Sequence, residues 1–108
     1  MHYKKGDVVL IKFPFTDLKQ SKKRPVLLVQ DANDLGDFVC FQITSNSRQV
    51  NTSKIEDNHI KSGELKLKSY IKYDKCFTLN VQTIDKKLAS VNTTYMHKVK
   101  NWFCEEIF

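Results

Sequence analysis

Glycine and proline are scarce in this chain of 108 residues, three of the first and two of the second, and no glycine-rich loop of the kind that cradles phosphates is present. Cysteine is sparse and oddly numbered. Cys40, Cys76 and Cys104 lie far apart with no C-x-x-C pair, which argues against a disulfide framework or a zinc site and reads as free, buried thiols in a reducing cytoplasm. A catalytic cysteine would need a basic partner that the sequence does not place. His2, His59 and His97 are scattered over a terminus, a loop and a helix without metal-ligand spacing. There is no nucleophile elbow and no paired histidine arrangement for acid and base work. No apolar run of membrane-spanning length occurs, and the opening "MHYKKGDVV" lacks the apolar stretch of a signal peptide. The expectation is a soluble, cytoplasmic protein with no membrane partner, no metal and no cofactor.

What is present suits one compact domain over residues 1–108, with 41% hydrophobic and 11% aromatic residues available for a core. Eighteen Lys and Arg against twelve Asp and Glu give a net charge of +6, with the excess leaning toward the first half. Two readings stand: a solvated lysine surface, or a polyanion partner, most simply nucleic acid.

The organisation is β-rich. Residues 8–13 carry β-branched Val8, Val9 and Ile11 after a Gly6-Asp7 turn signal, and Pro14 ends that strand or confines it to an edge. Residues 26–30 are apolar enough to be covered on both faces. After a polar turn at 31–37, "FVCFQIT" makes a third strand over 38–44, followed by the surface loop "SNSRQVNTS". Short strands are expected at 54–60 and 65–67, and alternation of apolar residues with lysine marks "LKLKSYIKYDKCFTL" as strand with one wet face. Further strands are expected at 81–84 and 88–91, with Asp85-Lys86-Lys87 as the loop between them. Then the period changes. Met96, Val99, Phe103 and Ile107, with Trp102 beside them, form the stripe of a helix N-capped by Asn92. That stripe serves either the core or a dimer interface. Five to seven short strands and one closing helix fit a mainly β (α+β) fold, a small and strongly bent barrel.

The loop between the first two strands has no glycine and carries Lys22, Lys23 and Arg24 in a row, so turn geometry alone does not account for it. Arg24 precedes Pro25 and is therefore held extended where the second strand begins. A guanidinium fixed there can bind a phosphate bidentately and stabilise charge on a phosphorane-like transition state. Thr44 closes the third strand beside Ser45, and their hydroxyls can donate to the same phosphate if the adjoining strands pair. The plainer alternative is that Arg-Pro opens a strand and Thr closes one for conformational reasons alone.

"GDVVLIKFPFTDLKQSKKRPVLLVQ", then "CFQITS", then "TIDKKL" and the closing helix resemble the MazF/PemK family of toxins from type II toxin–antitoxin systems. The resemblance implies an SH3-like barrel, a homodimer and a cognate antitoxin. It also implies metal-independent, sequence-specific endoribonuclease action on single-stranded RNA, leaving 2',3'-cyclic phosphate and 5'-hydroxyl ends. Carried onto this chain, Arg24 would bind the scissile phosphate and share in proton transfer, and Thr44 would orient or stabilise it. The stretch 16–23 would be the loop over the RNA groove, with Lys19, Lys22 and Lys23 on backbone phosphates and Thr16 and Asp17 among the substrate contacts. Phe15 would stack a base, although Phe13 and Phe15 alternate and at least one belongs to the core. Ser45 and Gln82 complete the implied contacts.

The chain departs from some relatives at two of these places. Lys19 stands where some have Glu, leaving Asp17 as the nearest carboxylate, and Gln82 stands where another has Lys. Two other functions share such a barrel: a toxin that binds gyrase, as CcdB does, and a catalytically silent RNA-binding module. Arg24 with Thr44 favours the nuclease over the silent binder.

Overall fold

A computed structural model of the protein describes residues 2–12, 23–46, 48 and 50–107. The chain order is β1 (Asp7–Lys12), β2 (Lys23–Leu28), β3 (Asp37–Thr44), β4 (Thr52–Lys54), β5 (Ile60–Gly63), β6 (Tyr70–Asn80), β7 (Ile84–Val91) and α1 (Thr93–Ile107), with 3-10 turns at Asp57–His59 and Val81–Thr83. The strands form one curled antiparallel sheet in the order β4-β6-β3-β2-β1-β7-β5, so β1, β2 and β3 lie at its middle. The expected bent barrel with a closing helix is the observed architecture.

The middle strands are apolar on both faces because both faces are covered. Successive side chains point to opposite sides of a strand. Val9, Ile11, Val26, Leu28, Phe38 and Cys40 therefore fill one layer, packed by Phe77, Leu79, Val81 and Ile84. Val8, Leu27, Phe41 and Ile43 face the other way, onto Tyr95 and Val99 of α1 and onto Ile55, Ile71 and Val91. Each such side chain contributes roughly 1.5–3 kcal/mol when fully buried, and Val26, Leu27 and Leu28 are all wholly inaccessible. The helix stripe is core at Val99, and Tyr95 joins it, with its hydroxyl donating to the Ser53 carbonyl at 3.3 Å.

Several strand boundaries differ from those expected. The region 54–60 is the end of β4 followed by a 3-10 turn. His59 Nδ1 accepts from the Glu56 N–H at 2.9 Å and closes that turn. Residues 65–67 are not strand, because β5 leaves the ladder at Gly63 and Leu67 stands 73% exposed. Residues 81–83 form a turn capped by the Asn80 side chain, which accepts from the Gln82 N–H. Asp85-Lys86-Lys87 is not a loop but part of β7, since its charges find partners across the sheet. Lys87 Nζ lies 3.2 Å from Asp7 and Asp85 lies 3.2 Å from Lys23 Nζ. Cys76 and Cys104 are exposed, and only Cys40 is the buried thiol expected. Arg24 is half-buried, with its Nε atom buried.

The helix begins where a second hydrogen-bonded cluster meets it. Asn92 Oδ1 accepts from the Tyr95 N–H at 2.9 Å, as an N-cap should. The same side chain donates to the Asn58 carbonyl, and the Asn92 N–H donates to the His59 carbonyl. The His59 ring rests on Tyr95 at 4.4 Å. Burial, then the charge of Lys98, lowers the His59 pKa, while Glu56 works the other way. The folded protein thus favours neutral His59, whose Nδ1 must stay an acceptor, and the unfolded chain binds its proton more readily. The stability this contributes is complete above the unfolded value near 6.5 and declines as pH falls below it. Urea midpoints measured between pH 7.5 and 5 should fall, and in His59→Gln that part of the pH dependence should disappear.

Candidate phosphate-binding cleft

The registers of the middle strands bring the two predicted residues together. Val26 pairs with Gln42 and Leu27 with Phe41, so Arg24 and Thr44 lie just beyond the paired residues of adjacent strands, and both line one cleft. On its other side Arg24 pairs with Ile11 of β1. Pro25, which lacks an N–H, pairs with Leu10 of β1, and it is tolerated because the pairing of β2 with β3 begins only at Val26. Arg24, Pro25, Ile43, Thr44 and Ser45 form one side of a cleft of about 180 Å³, and Leu67, Lys68 and Ser69 form the other.

Local bonds fix the parts. Thr44 Oγ1 accepts from the Asn46 N–H at 3.1 Å, a bond that does not use the hydroxyl proton. Asn46 in turn accepts from the Arg48 N–H at 3.0 Å. Across the cleft, Ser69 is buried, its hydroxyl donates to the Leu67 carbonyl at 3.0 Å, and its own carbonyl accepts from Ile55 at 2.9 Å. The stretch after Thr44 is tied down further along. Lys72, only 8% exposed, donates from Nζ to Asp74 at 2.7 Å and to the Val50 carbonyl at 3.0 Å. Asn51, at φ 56, donates from its side chain to Asp74, and its carbonyl accepts from the Tyr73 N–H. Burial works to raise the Asp74 pKa, but the hydrogen bonds from Lys72 and Asn51 and the Lys72 charge together bring it below the ordinary value. This cluster sits where β6 breaks register with β3, between the pairs Phe41↔Cys76 and Gln42↔Lys72, a bulge that bends the strand.

Other expected contacts are placed elsewhere or lie outside the described residues. Lys23 is engaged with Asp85 and does not line the cleft. Gln82 sits on the Val81–Thr83 turn, also away from the cleft lining. Phe15, Thr16, Asp17, Lys19 and Lys22 lie outside the described residues. The wall of Leu67, Lys68 and Ser69 was not anticipated, because alternation in "LKLKS" reads as strand. Burial raises the Cys40 thiol pKa to about 12, helped by Cys76, which suits packing and not nucleophilic work. Among the described residues no three His, Cys, Asp or Glu side chains gather to hold a metal. A guanidinium and a hydroxyl converging on a small cleft can hold one tetrahedral oxyanion.

Residues 4–107 match the family of PemK-like, MazF-like toxins of type II toxin–antitoxin systems. The chain belongs to that family. No curated protein sequence matches it, but solved structures share its fold across nearly the whole length. MazF from Deinococcus radiodurans has a TM-score of 0.71 at 16% identity, with 99% of this chain and 97% of that one covered. The MazE-MazF complex from the same organism gives 0.76 at 17%, with 97% and 95% covered. An endoribonuclease from Mycobacterial species, in complex with its cognate antitoxin, gives 0.69 at 18%, with 97% and 92% covered. The toxin family therefore accounts for the curled seven-stranded sheet and its closing helix.

The Lys72 cluster is a support for the loop that follows Thr44, not a part of the cleft. Lys72→Met should lower unfolding free energy by about 1–3 kcal/mol, since it leaves Asp74 and the Val50 carbonyl without a donor. Chemical denaturation checks this, and a stability equal to wild type would show that the cluster supports nothing.

Proposed function

We propose that this toxin is an endoribonuclease that cuts single-stranded RNA, mRNA above all, at a short preferred sequence and without a metal. The observation that carries the reading is the convergence of Arg24 and Thr44 on one cleft of phosphate size. The family membership, the net charge of +6 and the description of structural relatives as endoribonucleases support it.

In this reading the ribose 2'-hydroxyl next to the scissile phosphate attacks phosphorus. The bond from phosphorus to the 5'-oxygen breaks, giving a 2',3'-cyclic phosphate and a 5'-hydroxyl; the 2'-proton passes to water and the leaving oxygen takes one up from water. RNA supplies its own nucleophile, so the protein needs neither a reactive thiol nor a serine. The Arg24 guanidinium binds the scissile phosphate and stabilises the extra negative charge that builds on the phosphorane oxygens. The Thr44 hydroxyl, with its oxygen already accepting from Asn46, turns its proton toward a non-bridging oxygen. A cognate antitoxin with an acidic segment would compete for the same basic surface. An apolar groove of about 380 Å³ between α1 and the sheet, lined by Val29, Val39, Phe41, Met96 and Phe103 among others, supports the homodimer that the family resemblance implies. Action on mRNA places the toxin in the cytoplasm.

The test is incubation of the purified protein with long single-stranded RNA in excess EDTA, followed by mapping of cut sites and end groups. Cuts at one short motif with cyclic phosphate ends are expected. Arg24→Ala should lose at least about 10²-fold in kcat, as removal of a principal oxyanion donor does, with its circular dichroism unchanged. A folded Arg24→Ala protein that cuts at the wild-type rate would remove Arg24 from the chemistry, and intact RNA with wild-type protein would overturn the nuclease reading.

A further inference from the structure

The cleft of Arg24 and Thr44 is too small for more than the reacting group. At about 180 Å³ it falls below the roughly 300 Å³ at which pockets begin to enclose a small molecule. It does not end blindly. Leu67 and Lys68, which form its outer wall, also line a second and larger cleft of about 630 Å³, bounded by β4, the 3-10 turn, β5 and residues 64–68. Lys54, Lys61 and Lys66 line this second space, with Glu56, Asp57 and Glu64 as its carboxylates.

The charges in it are not equivalent. Lys54 pairs with Glu56 at 3.8 Å, whereas Lys61, Lys66 and Lys68 make no ion pair among the described residues. Leu67 stands 73% exposed between Lys66 and Lys68. An apolar side chain held in water on the ridge between two clefts, with an ammonium group on each side of it in sequence, matches the alternation of a single-stranded nucleic acid, which offers a base face and then a phosphate. The ridge is held in place without belonging to the sheet, through the Ser69 carbonyl and the Ser69 hydroxyl.

We propose that residues 66–68 carry the RNA strand out of the reaction cleft. In this inference, which rests on the nuclease reading, Lys66 and Lys68 bind the phosphates on one side of the cut, Leu67 packs against a base, and the larger cleft holds the nucleotides beyond. These residues act on substrate binding and not on the chemical step. Their loss should therefore raise KM and leave kcat near its wild-type value.

The experiment uses the whole protein with an oligoribonucleotide that contains the mapped cut site, and with versions trimmed from one end or the other. Trimming from one end should raise the wild-type KM by about fivefold to tenfold once the phosphates on Lys66 and Lys68 are gone. Lys66→Ala/Lys68→Ala should show that raised KM on the untrimmed RNA and respond little to further trimming, with kcat within about twofold of wild type. Its slope of log affinity against log salt, measured on an uncleavable RNA with a 2'-deoxy sugar at the cut, should shrink by about 0.7 for each lysine lost. Leu67→Ala should weaken binding without changing that slope. All three positions are exposed, so circular dichroism of these variants should match wild type. If the wild-type protein cuts RNA and the double variant keeps both its KM and its response to trimming, this inference fails and the nuclease reading stands. If the wild-type protein cuts no RNA, both fall.

Discussion

The structure depends on the burial of β2 on both faces. Val26 and Leu28 point into one apolar layer and Leu27 into the other, so a register slip of one residue against β3 would exchange the two layers. That penalty fixes the pairing of Val26 with Gln42, and the pairing fixes the position of Arg24 relative to Thr44. The cleft is thus a by-product of core packing a few residues away. Its two polar members are held close by the strands that carry them.

The basic character of the chain divides into two populations. Lys23, Lys72 and Lys87 are committed to Asp85, Asp74 and Asp7, and these pairs join strands or hold the loop after β3. Lys72 is nearly buried and hydrogen-bonded on two sides, so its charge belongs to the architecture. Of the lysines near the clefts, Lys54 pairs with Glu56, whereas Lys61, Lys66 and Lys68 make no ion pair among the described residues. A net charge of +6 therefore overstates what a polyanion meets in some places and describes it well in others.

Much of this was legible in the sequence because it follows from local chemistry. Alternation and β-branching marked β1, β2 and β3, the change of period marked α1, and Asn92 marked its start. Arg24 and Thr44 stood out because each sits at the end of a strand whose partner is next in the chain. Long-range pairing decided the rest. Asp85, Lys86 and Lys87 read as a loop until Asp7 of β1 and Lys23 of β2 are seen to neutralise two of the three charges. The run at 81–84 reads as strand until the Asn80 side chain turns it. Residues 65–67 alternate as a strand does, but among the described residues no strand pairs with them, and nothing local says so. Cys76 and Cys104 have apolar neighbours yet lie at the surface, because those neighbours face the core from adjacent positions.

The outer wall of the cleft is joined to the fold differently from the inner one. Arg24 and Thr44 belong to strands whose every slip disturbs the core, whereas residues 64–68 hang between Gly63 and the anchored Ser69 and contribute no pairing to the sheet. Mutation can therefore rewrite the outer wall, even its length, at little cost to folding, while the inner wall is shielded from drift by the same packing that makes the protein stable. A lineage built on this arrangement can vary the outer wall and keep the inner one unchanged.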